Sequence, residues 1–120
     1  MRTDFSNNPL VKHCIAFALL IIKQVEALEN DKKHVIAKQL LRCGTSIGAN
    51  VMEAQSAESK ADFLHKLKIA DKEAHETWYW LYLCRESDSY YIENNIIEKL
   101  DEIMRLLNAI ILSSKKESQN

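Results

Sequence analysis

The sequence predicts an all-α fold, an antiparallel up-down-up-down four-helix bundle, and three observations carry that expectation. Four apolar stripes recur at spacings of three and four residues, each bounded by a polar break. Pro9 is the only proline, and Gly44 and Gly48 are the only glycines in 120 residues, so little in the chain interrupts a helix. The breaks are short, which places successive helices side by side and antiparallel.

The first helix is expected over residues 9–29. Asn8 can cap it and Pro9 loses nothing at the first helical position. Its seam is Val11, Cys14, Ala18, Ile21, Val25 and Leu28, ended by the polar NDKK stretch. The second helix, residues 34–56, carries Ile36, Leu40, Gly44, Ile47, Val51 and Ala54 on one face.

Ser59 with Asp62 three residues on makes a start resembling a capping box, so the third helix is expected over 60–86. Phe63, Leu67, Ala70, Ala74, Thr77 and Leu81 form its seam, and RESDS ends it. The fourth, residues 94–113, carries Ile96, Leu100, Ile103, Leu107 and Ile110, with a second row at Ile97, Met104 and Ile111. One domain spans 1–120, and residues 1–8 and the SSKKESQN tail have so little to bury that fraying is expected.

Sixteen basic residues against seventeen acidic ones argue against bulk electrostatic attraction to nucleic acid or to an anionic membrane. The longest apolar run, Cys14 to Ile22, is too short to span a bilayer, and MRTDFSNNPL has no signal-type apolar core, so a cytoplasmic protein is expected. Cys14, Cys43 and Cys84 fall at or beside apolar helical positions without metal-type spacing and read as reduced core thiols.

No cofactor or catalytic group is expected. A di-iron bundle needs a Glu-x-x-His on each of two helices, and the chain has none. Asp62 and His65 form an Asp-x-x-His near a helix end, which does not meet that requirement. No phosphate-cradling glycine loop or nucleophile elbow occurs either.

Contact is the function these residues point to. A helical glycine costs roughly 1 kcal/mol relative to alanine, so Gly44 and Gly48, one turn apart, suit a place where another backbone comes close. Six of the nine aromatic residues lie between positions 78 and 91, and TWYWLYL points Trp78, Tyr79, Trp80 and Tyr82 around the whole circumference of helix three. Together with the wide stripe on helix four, these features predict surface buried by self-association.

Beside the seam of helix two, Lys38, Arg42, Ser46 and Asn50 form an i, i+4 ridge joined by Glu53. Ser46, Asn50 and Glu53 are candidates for hydrogen bonds to a neighbouring helix. Lys32, Lys33, Lys38 and Arg42 make a stretch without acids, while residues 86–102 hold six acids against Lys99 alone. That polarity suits head-to-side attraction between subunits, or a basic surface for RNA or DNA repeated around an oligomer.

SIGANVMEA, followed by ESKADFLHKLKIADKEAHE, resembles the four-helix-bundle proteins encoded in intervening sequences of bacterial large-subunit ribosomal RNA genes. The resemblance rests on Ser46, Ile47, Asn50, Val51 and Glu53, then Phe63, Ile69, Ala70, Ala74 and Glu76, then Tyr91 and Ile92. Ala54 stands where the pattern has a glycine, and Lys72 and Glu73 stand where it has small residues. The resemblance implies a cytoplasmic bundle assembled as a ring-like pentamer, with no catalytic residues to carry over. Accessory proteins of diversity-generating retroelements are similar in fold and act as basic adaptors, but this chain lacks their strong positive charge.

Overall fold

A computed structural model describes residues 7–119. It contains α1 (Pro9–Asn30), α2 (His34–Ala54), α3 (Lys60–Glu86) and α4 (Ile96–Gln119), and no strand among the described residues. Each helix packs on two others in a cycle, α1 on α2 and α4, α3 on α2 and α4, without diagonal contact. This is the four-helix bundle expected from the stripes.

The helix starts follow local chemistry. The Asn8 side chain accepts from the Val11 N–H at 3.1 Å, and its amide also donates to Gln55 Oε1 beyond the end of α2, at 2.9 Å. Ser59 Oγ accepts from Asp62 N–H at 3.0 Å, while Asp62 Oδ2 accepts from Glu58 N–H at 3.3 Å, one residue before the cap.

Where α1 ends, Lys32 N–H reaches the Glu29 carbonyl and Lys33 N–H the Leu28 carbonyl, the paired bonds of a Schellman motif. Lys32 holds the left-handed position at φ 61°, a place usually given to glycine. Asn95, at φ 62°, turns the chain into α4, which therefore begins two residues later than expected.

α4 also continues past residue 113, where fraying was expected. Ile111 and Ser114 are still buried, and Lys60 Nζ meets Glu117 Oε2 at 2.7 Å, so the last turns have something to hold. Of residues 1–8, positions 1–6 lie outside the described residues.

The core takes a broader arc of each helix than a single seam. Phe17 and Gln24 of α1 are buried although off the predicted row, while Ala18, on it, is only half-buried. Each helix has two neighbours, so its buried arc must face both. The second row of α4 obeys the same logic: Ile97 and Ile111 are buried and Met104 half-buried within the bundle. The wide stripe on α4 is thus largely used inside the protomer.

Candidate interaction surfaces

The two glycines lie where α2 meets α1. A Cβ on Gly44 would stand 2.8 Å from side-chain carbons of the fully buried Ile21, and one on Gly48 would stand 3.3 Å from Cys14 Cβ, with the Cys14 backbone 3.9 Å away. The close approach expected of this pair is made within the chain. Gly44 is buried there and offers nothing to a second subunit.

Just outside that contact line the surface is apolar. Ile15, Leu19 and Ile22 follow one face of α1 and Leu41 and Met52 the adjoining face of α2, each 38–59 % exposed. Ile15 and Ile22 directly follow Cys14 and Ile21, the residues touching the glycines, so the two rows border one strip. Ala18, Thr45 and Ala49 complete it without charge. The Thr45 hydroxyl donates to the Leu41 carbonyl at 2.6 Å and leaves no free donor.

Half of the ten large hydrophobics exposed among the described residues are on this face. At those exposures they present roughly 400 Å² of apolar surface, a size at which a patch on a monomer is often functional. Sequence reasoning missed this face. The signal was the spacing of Ile15, Leu19 and Ile22, hidden because a continuous apolar run does not reveal which members face inward.

The polar ridge on α2 mostly bonds within its own protomer. Ser46 donates to the Arg42 carbonyl at 2.6 Å and Asn50 to the Ser46 carbonyl at 2.8 Å, so neither bridges helices. Glu53 does cross to α3, at 2.9 Å from Lys66 Nζ. Arg42 crosses as well, to Glu73 at 3.3 Å and to Glu76. The Arg42 guanidinium, then the Trp80 indole N–H at 3.1 Å, hold the Glu76 carboxyl below the usual carboxylate range.

Those pairings change the basic stretch. Arg42 is neutralised by two carboxylates, and Lys33 lies over the Tyr90 ring at 4.8 Å. Lys32 and Lys38 are exposed, with no ion pair among the described residues. Only part of the predicted cationic patch is therefore presented to solvent as free charge.

On α3 the aromatic belt divides. Trp78 and Trp80 are half-buried and pack on the core, so most of their surface is used within the bundle. Trp78 stacks on Tyr82 at 5.1 Å, and Tyr79 meets Trp80 edge-on at 5.5 Å. Tyr79, 55 % exposed, and Tyr82, at 36 % and covered on one side by Arg85, form the accessible part.

The thiols are buried, and burial pushes Cys14 up to about 12 and Cys84 to about 11. Among the described residues no three histidine, cysteine or carboxylate side chains gather as a metal would require. His13 lies 3.6 Å from Glu102 and His75 3.7 Å from Asp71, both at the surface. Among the described residues no helix is long and apolar enough to cross a membrane.

Fold and surfaces together define a helical bundle whose distinctive features lie on its outer faces. Residues 6–111 match the family described as 23S rRNA-intervening sequence protein, and the chain belongs to that family. It is similar to a solved structure from Bacteroides thetaiotaomicron, described as a protein with unknown function from the S23 ribosomal protein family. The two share 44 % identity with a TM-score of 0.79, over 85 % of this chain and 97 % of the other. No curated protein matches it.

Proposed function

We propose that this protein is a non-enzymatic, homo-oligomeric scaffold of the cytoplasm that acts through contact, in the ring-like pentamer its family resemblance implies. The observation that carries this reading is the uncharged strip of Ile15, Leu19, Ile22, Leu41 and Met52. A standard interface takes about 800 Å² from each partner, a little over half of it apolar, and the strip supplies most of that apolar share.

Light scattering after size exclusion at micromolar concentration and low salt tests it. A discrete oligomer is expected, and a monomer would sink the reading. A second reading, an RNA- or DNA-binding adaptor, draws on the exposed Lys32 and Lys38 beside Lys33. Its test is the same column run with structured RNA: a mass increase that fades steeply with salt supports the adaptor, and an unchanged mass removes it in favour of a scaffold whose further partner is another protein.

A further inference from the structure

We infer that the groove between α3 and α4 is a binding site for a free α-amino acid, whose adjacent ammonium and carboxylate it takes with side chains of opposite sign. The groove has a volume of about 470 Å³ and is lined by Asp71 and His75 of α3 and by Asp101, Met104, Arg105 and Asn108 of α4. That volume falls within the range of small-molecule sites. In the cycle of helices, α3 and α4 form the side opposite α1 and α2. The groove therefore stays open when the aliphatic strip on α1 and α2 is covered, and the inference is independent of the self-association reading.

Asp101 and Arg105 stand four residues apart on one helix, acid first, an arrangement that ordinarily closes into an ion pair. Here neither makes an ion pair or a side-chain hydrogen bond among the described residues, although Asp101 is half-buried. A carboxylate and a guanidinium left open on one wall of a groove suit a ligand that carries the two opposite charges side by side. On the other wall, His75 Nδ1 donates to the Asp71 carbonyl at 2.8 Å, which leaves Nε2 of the neutral ring as an acceptor. An ammonium group has three N–H donors, and the Asp71 and Asp101 carboxylates and that Nε2 are the acceptors for it. The ligand carboxylate goes to the fork of Arg105, with the Asn108 amide about one turn further along α4. Met104, half-buried against the core, gives the ligand side chain an apolar floor.

Isotope-labelled methionine methyl groups read this site directly. Met104 lines the groove, and Met52, on the α1/α2 strip, is the control. An equimolar mixture of L-alanine, L-leucine, L-serine and L-glutamine at millimolar concentration should move the Met104 methyl signal saturably and leave Met52 in place. The N-acetylated and the amidated forms of the same mixture, each lacking one of the two charges, should move neither. Arg105→Ala and Asp101→Asn alter groups without a partner in the fold, so both variants should keep the parent's helical circular dichroism and weaken the response about ten-fold or more. The inference is overturned if the free amino acids leave the Met104 signal unmoved or move Met52 equally. It is overturned as well if the acetylated or amidated forms act like the free ones, or if either variant responds like the parent.

Discussion

The Gln24 side chain, wholly buried on α1, accepts a hydrogen bond from the Glu93 backbone N–H at 2.7 Å, 69 residues away along the chain. The same amide donates to the Tyr91 carbonyl, also at 2.7 Å. One side chain thereby satisfies two backbone groups of the connection between α3 and α4. Replacing it by leucine keeps the volume and strands both groups, each at a cost of about 1–3 kcal/mol. Gln24→Leu should lose about 3 kcal/mol in urea unfolding, and the Glu93 amide should exchange much faster with solvent. An unchanged exchange rate would show that the connection is held by other contacts.

The two glycines should respond differently to alanine. At Gly44 the new methyl would overlap three side-chain carbons of the fully buried Ile21, so overpacking should exceed the gain in helix propensity and lower stability by about 1–2 kcal/mol. At Gly48 the approach is tight without overlap, and a propensity gain of about 1 kcal/mol should roughly offset it. Equal losses at both sites in chemical denaturation would contradict this account.

Lys32 occupies a left-handed helix-ending position with an unfavourable residue. Lys32→Gly should raise stability by about 0.5–1 kcal/mol, since glycine adopts that conformation without the Cβ clash. A melting temperature unchanged or lowered would count against strain at that turn.

Glu76 supplies a pH signature. Its carboxyl titrates lower in the folded protein than the ordinary 4.5, mainly through Arg42 and secondarily through Trp80. Stabilisation from this group is therefore complete above pH 4.5 and declines as the pH falls through the folded value. Arg42→Ala should accordingly differ from the parent in urea midpoint at pH 7, with the difference shrinking towards pH 3. A difference that stays constant across that range would mean that Arg42 contributes by packing its stem.

The cysteines should be silent until the bundle opens. With Cys14 and Cys84 pushed up to about 12 and 11 by burial, and Cys43 raised by the same cause, native protein at pH 8 should react slowly with a thiol reagent. In urea all three should react at the rate of free thiols.

What could be read in advance was what depends on neighbours along the chain. Asn8 and Ser59 cap as their spacing implies, and the stripes of Leu67, Ala70, Ala74 and Leu81 and of Ile96, Leu100, Ile103 and Leu107 are buried as their period requires. Trp78 and Trp80 were harder. Pointing all round a helix, they implied surplus surface, but both are half-buried and pack on the core. The arc a helix buries depends on where its neighbours stand, and no local pattern encodes that.

The sequence by itself determined four helices, their approximate ends, their antiparallel order and the family, because capping, propensity and the 3.6-residue period act within a few turns. Tertiary structure alone decided that Gln24 belongs to the core, that Arg42 is neutralised across helices, and that Ile15, Leu19, Ile22, Leu41 and Met52 share one outer face. Each of those outcomes joins residues tens of positions apart, and only the packed arrangement of α1 against its neighbours decides which side of its apolar stretch, residues 14–22, meets water.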